Sequence, residues 1–181
     1  MDVLSNPAKV LRKHTVASVT LETAWKTWTT VEGVTSFFAP KANIEAQAGG
    51  RYELLFYQKA PRGFQGTEGC KVLSIDPPKG LAFEFLARPE FPNARRIRTR
   101  VDVLIEQVLG GGLVKFSVVH SGFLEGEEWD ECFELFNWDW EVVLGRLQYR
   151  FYAGPIDWSH PYMPLGIGSR PLRKLREHVS M

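Results

Sequence analysis

Cysteine is nearly absent from this chain. Only Cys70 and Cys132 occur among 181 residues, too few for the disulfide framework of a small secreted domain. A reducing, cytoplasmic setting fits that scarcity. Long apolar runs are also missing. No stretch approaches the roughly 20 residues that span a bilayer, so no membrane insertion is expected, and residues 1–13 carry no signal-peptide core. Charge of one sign is not in excess. Lys and Arg total 22 against 21 Asp and Glu, a formal net charge of +1, which gives no electrostatic basis for a nucleic-acid partner. His14, His120, His160 and His178 are scattered without paired spacing, so no metal site is read. Walker A, nucleophile-elbow and kinase signatures do not occur. Gly166-Ile167-Gly168 opens like a dinucleotide fingerprint, but Pro171 stands where its third glycine belongs, and no cofactor is expected.

What is plentiful is apolar and aromatic: 44% hydrophobic and 13% aromatic residues. That composition argues against disorder and for one well-cored domain. Residues 9–19 are rich in β-branched types and read as a strand. Thr20 suits the N-cap of a helix over 22–31, where Ala24, Trp25 and Trp28 recur at helical spacing. Gly33 is expected to break it, with a second short helix at 34–38. Strands follow at 43–47, 51–58, 66–75, 81–87, 96–108 and 113–120. Gly49-Gly50, residues 76–80 and Gly110-Gly111-Gly112 supply turns between them. The links are too short for crossover helices, so an antiparallel meander is expected.

From 127 to 151 the apolar period changes from two to 3.6. Trp129, Phe133, Phe136, Trp140, Leu144, Leu147 and Phe151 fall within about 80° of arc, which defines one long amphipathic helix. Its acidic first turn and the arginines Arg146 and Arg150 near its end suit the helix dipole. Trp138, Val142 and Tyr149 lie on the opposite face and need a cover. The tail contains Pro155, Pro161, Pro164 and Pro171 and cannot be one regular element; residues 171–178 read as a short last helix. Pro155, Ile156, Trp158 and Tyr162 are the residues expected to cover the outer helix face. They would do so in the same chain or across a homodimer built on that face or on the tail. Domain boundaries follow: a single domain at 1–151 and a Pro-rich extension at 152–181.

The order strand, two short helices, six strands, long helix carries a resemblance. Residues 24–29 with Phe37-Phe38-Ala39-Pro40, Gly49-Gly50-Arg51-Tyr52, residues 66–69 and 72–78, Thr99-Arg100-Val101, the glycines at 110–112, His120-Ser121-Gly122-Phe123, and Trp140, Leu144 and Leu147 resemble, in order and spacing, the Bet v 1/START-like (SRPBCC) superfamily. Within it, the chain is similar to the group homologous to the C-terminal domain of the Hsp90 ATPase activator. The resemblance covers about residues 10–151. It implies an α+β helix-grip fold: a seven-stranded curved antiparallel sheet wrapped around a long C-terminal helix, with two short helices after strand 1 and an internal apolar cavity. The chain departs from the family at Phe37-Phe38, where two tryptophans are common, and at Asp139, where glycine is common.

Strand alternation and the helix face name a cavity lining. Tyr52 and Phe56 share one phase, Phe83 and Phe85 another, and Phe116, Val118 and His120 a third. Trp129, Phe133, Phe136 and Trp140 face them from the helix. Trp28 and Phe38 from the helical opening, with Cys70 and Val101 from the strands, complete the set. An apolar lining of this kind suits a flat or fatty ligand, with the loops at 62–65 and 88–94 controlling access. His120 and Glu68 are the acid–base candidates. Each has a plain structural alternative, His120 bonding the strand-to-helix corner and Glu68 facing outward between two glycines. Arg96, Arg98 and Arg100 alternate on one strand face, beside Arg88 and Arg95, and read mainly as a solvated outer face. No catalytic set is identified. The leading reading is a binding protein for a hydrophobic small molecule. A co-chaperone-like regulator of the Hsp90-activator type and a cyclase- or hydrolase-like enzyme using a polar cavity residue are the alternatives that the resemblance implies. The full activators carry a separate N-terminal domain, which these residues do not contain.

Overall fold

The computed structural model describes residues 8–108 and 110–171. Strand β1 (Leu11–Ser18) is followed by Thr20, whose hydroxyl accepts the Thr23 N–H at 3.2 Å and caps helix α1 (Leu21–Thr29). Helix α2 (Val31–Thr35) follows at once. The break is at Thr30, which is extended and caps α2 by accepting the Gly33 N–H at 3.0 Å. Gly33, expected as the breaker, lies inside α2. It is there because the two helices touch: a Cβ would sit 2.3 Å from the Lys26 carbonyl oxygen.

Strands β2 (Lys41–Ile44) and β3 (Tyr52–Leu55) form a two-stranded antiparallel ribbon. β4 (Val72–Asp76), β5 (Gly80–Phe85), β6 (Thr99–Val108) and β7 (Leu113–Ser121) join β1 in a five-stranded antiparallel sheet ordered β1-β7-β6-β5-β4. The strand expected over 66–75 is regular only from Val72. Before it the chain loops, and Thr67 uses its hydroxyl to accept the Leu54 N–H at 2.8 Å. The ribbon therefore meets β4 through separate bonds: Tyr52 N–H to Cys70 O at 2.9 Å, and Val72 N–H to Gly50 O at 2.8 Å. The strand expected from 96 begins at Thr99, because Ala94–Arg96 form a 3-10 turn.

Helix α3 (Glu127–Ala153) lies in the concave face of these strands. β6 and β7 pair with Val101 opposite His120 and Ile105 opposite Phe116, so the inward residues of both strands are buried and alternate with more exposed ones. Burial of this apolar face against α3 is the main stabilising contribution. After α3 the chain turns back along the helix. Ile156 is buried and donates its N–H to Ser36 O at 2.9 Å. Trp158 donates its indole N–H to Thr35 O at 2.7 Å. Tyr162 stacks on Tyr149 with ring centroids 4.0 Å apart, and the Trp138 indole donates to Gly168 O at 2.8 Å. Pro164 sits over Gly145, where a Cβ would fall 2.2 Å from the proline ring. Of the residues expected to cover the outer face of α3, Tyr162 does so at Tyr149, whereas Ile156 and Trp158 bond to the end of α2 and Pro155 is exposed. Pro171 is irregular, and the rest of the helix expected at 171–178 lies outside the described residues.

Candidate functional site

A cavity of about 430 Å³ opens at the flank of α3. One wall is aromatic and aliphatic: Phe38, Phe56, Phe85, Phe136, Trp140 and Val143. The second wall is the chain after β5, Leu86 to Pro89, with Gly66 and Thr67 beside it. The third comes from the returning tail through Trp158, Pro161, Met163 and Arg170.

Of the fifteen residues expected to line a cavity, the structure brings Phe38, Phe56, Phe85, Phe136 and Trp140 to this wall. Trp28, Tyr52, Cys70, Phe83, Val101, Phe116, Val118, His120 and Trp129 are buried in the core away from it, and Phe133 is partly buried beside that core. The physical reason is close packing. Tyr52 stacks on Phe83 with centroids 4.0 Å apart, Trp28 packs edge-on against Phe37 at 5.0 Å, and Phe116 stacks on Phe151 at 5.9 Å. These ring contacts occupy the space between the helix and the sheet at those positions, and the cavity lies at the flank. Of the two loops expected to control access, the one at 88–94 reaches the cavity through Arg88 and Pro89, whereas 62–65 do not line it.

His120 is fully buried. The Trp140 indole donates to its Nδ1 at 3.0 Å. Nδ1 therefore carries no proton, and Nε2–H donates to Thr99 Oγ1 at 2.7 Å, whose hydroxyl donates to Phe85 O at 3.2 Å. Burial pushes the imidazole pKa down from 6.5 to about 3. This is a neutral histidine with both nitrogens engaged; it holds the Trp140 ring of the cavity wall directly and reaches the Phe85 backbone through Thr99. Glu68 also has local partners. Its carboxylate accepts the N–H groups of Gly63 at 2.5 Å, Gln65 at 3.0 Å and Gly66 at 3.1 Å, so it organises the 63–66 turn. Both thiols are buried and pushed up to about 12 by desolvation, which makes them unreactive. Among the described residues no group of His, Cys, Asp and Glu is arranged to hold a metal ion, and no helix is long and apolar enough to cross a membrane.

The cavity's polar groups are mostly arginines. Arg88 and Asp139 form an ion pair on the wall, with the Arg88 Nε to Asp139 Oδ2 bond at 3.1 Å. Burial raises the Asp139 carboxyl pKa, and Arg88 opposes that rise. Arg95 donates to the carbonyls of Ala87, Gly63 and Gly66 at 2.6–2.8 Å and faces Glu68 at 3.5 Å. Arg170 pairs with Glu90 at 2.8 Å. Arg146 donates from Nε to Tyr162 O at 2.9 Å and lies over the Trp158 ring at 5.4 Å; burial lowers its pKa. Arg98 and Arg100 are outside the cavity, paired with Glu84 and Asp102, and Arg96 is exposed on the 3-10 turn. Sequence reasoning did not assign Asp139, Arg146, Arg170 or the tail residues to the site. The available signal was the seven-residue spacing of Asp139 and Arg146, which puts both on one flank of α3 at the border of its apolar face.

A curved antiparallel array gripping one long C-terminal helix defines the helix-grip architecture of START-like (SRPBCC) proteins. A family profile described as "Activator of Hsp90 ATPase homolog 1-like protein" matches residues 18–151, and the chain belongs to that family. No curated protein matches it. Among solved structures, the chain is similar to MLL2253 from Mesorhizobium loti, with TM-score 0.62 and 16% identity over 78% of this chain and 95% of the other. CalU16 from Micromonospora echinospora gives TM-score 0.60 and 15% identity over 83% and 78%. The Aha1 dimer from Colwellia psychrerythraea gives 0.59 and 16% over 81% and 98%. At these identities the likeness shows the fold.

Proposed function

We propose that this protein binds a hydrophobic small molecule in the cavity at the flank of α3, in a cytoplasmic setting. The observation that supports the reading most is the cavity itself: about 430 Å³, with one aromatic and aliphatic wall and a small set of charged groups, Arg88, Arg95, Asp139, Arg146 and Arg170, which is the size and character of a small-molecule site. Part of the wall is held in place beforehand, since His120 bonds the Trp140 indole, and a preformed wall lowers the ordering cost of binding. Binding carries more support than catalysis, because His120 and Glu68 spend their bonding capacity on the protein itself. The co-chaperone reading rests on the family description alone.

Native mass spectrometry of gently purified protein, compared with the same sample denatured, is the first test. A retained small-molecule mass is expected. Titration with Nile red, a neutral apolar dye, adds residue resolution. Phe56→Ala is expected to weaken dye binding several-fold with little loss of stability, because Phe56 is partly buried on the wall. Phe83→Leu is expected to cost about 1–3 kcal/mol of stability and leave dye affinity unchanged. A protein that retains no mass and ignores the dye would overturn the reading.

A further inference from the structure

We propose that the cavity takes a molecule with an apolar body and one carboxylate, and that the Arg146 guanidinium receives that carboxylate. The inference rests on the small-molecule reading above and adds the ligand's chemical class.

Positive charge exceeds negative charge on the cavity wall. Four guanidinium groups line it, from Arg88, Arg95, Arg146 and Arg170, against one carboxylate, Asp139. Arg88 is neutralised by Asp139, Arg170 by Glu90, and Arg95 by Glu68 and three carbonyls. Arg146 differs. Its partners are the Tyr162 carbonyl, the Met163 sulfur at 3.6 Å and the face of the Trp158 ring. None of these is an anion, and among the described residues Arg146 has no ion pair; Asp139, already paired with Arg88, acts on it only from a distance. Four guanidiniums thus share three carboxylates, Asp139, Glu68 and Glu90, and the surplus positive charge sits at Arg146, half-buried, beside an apolar wall.

That arrangement discriminates between ligands. A neutral apolar molecule filling the cavity would strip water from Arg146 and give nothing back, and burying an unpaired charge is costly. A carboxylate on the same body restores the lost solvation through charge-assisted N–H···O bonds. One uncompensated cation calls for one negative charge. The tail takes part directly, because Tyr162 orients the guanidinium through its carbonyl and Trp158 stacks on it, so residues 158–163 form the head-group side of the site.

The test uses matched pairs that differ only in the head group: decanoate against decan-1-ol, and 2-naphthoate against 2-naphthamide. Each is titrated into the full chain by calorimetry at low salt. The acid of each pair is expected to bind about ten-fold or more tightly than its neutral partner. Arg146→Gln is expected to remove that preference, weakening the acid and relieving the neutral compound of the cost of desolvating a cation, and Arg146→Lys to restore part of it. The wild-type comparison needs no variant, so it stands whether or not Arg146→Gln folds. Equal affinities within both pairs would overturn the carboxylate assignment and leave the small-molecule reading intact. A preference that survives Arg146→Gln would overturn the role of Arg146. Failure of all four compounds to bind would overturn the assignment together with the cavity reading on which it rests.

Discussion

Acid should destabilise this protein through one residue, His120, by about 2 kcal/mol between pH 7 and pH 5. The native ring is neutral, with Nδ1 occupied by the Trp140 N–H and burial holding its pKa near 3. In the unfolded chain the same ring titrates at its ordinary value of 6.5. Between those values the unfolded state binds a proton that the native state refuses. The contribution of His120 to stability is therefore complete above pH 6.5 and is lost as the pH falls, at about 1.4 kcal/mol per pH unit, until the native ring itself protonates near pH 3. At pH 5 the loss amounts to about 2 kcal/mol, roughly a thirty-fold change in the folding equilibrium. The assay is urea unfolding of the wild type and His120→Gln at pH 7, 6 and 5. Glutamine does not titrate, and His14, His160 and His178 are common to both proteins, so their contributions cancel. His120→Gln should be the less stable protein at pH 7, because it disturbs the bonds to Trp140 and Thr99. That gap should shrink by about 2 kcal/mol at pH 5. A gap that is constant with pH would refute the buried neutral imidazole.

Two further expectations concern α3. Gly145→Ala should remove a glycine penalty of about 1 kcal/mol from the helix, yet its Cβ would meet Pro164 at 2.2 Å. The tail should lift, and limited proteolysis should cut residues 155–168 faster than in the wild type; equal protection would show that the tail does not rest on this position. Arg88→Met should cost about 3 kcal/mol by leaving the Asp139 carboxylate buried without its partner. Arg88→Met combined with Asp139→Leu should recover most of that loss in urea unfolding, and a double variant as unstable as the single one would deny the coupling.

The sequence by itself determined the order of elements and the composition of the core. Period-two runs and Gly- or Pro-marked turns specify strands that pair with their neighbours, and a single 3.6-residue aromatic stripe from Trp129 to Phe151 leaves only one element able to cover them. Thr20 declared the start of α1 because a hydroxyl at an N-cap acts locally. The role of Gly33 was not legible, since it depends on how closely α2 approaches Lys26, a through-space fact. The same limit governs the site. Alternation says which side chains point inward, but not which of them fill the interior and which border empty space. Tyr52 and Phe83 share their phases with Phe56 and Phe85, yet the first two stack on each other and the second two line the cavity. Charge compensation is decided still later. Arg88 and Asp139 are 51 residues apart, and Arg146 faces the cavity beside Trp158 only because the tail turns back along α3. Tertiary structure alone decided where the cavity lies and which cation on its wall lacks an ion pair among the described residues, because both depend on distances between segments remote in sequence.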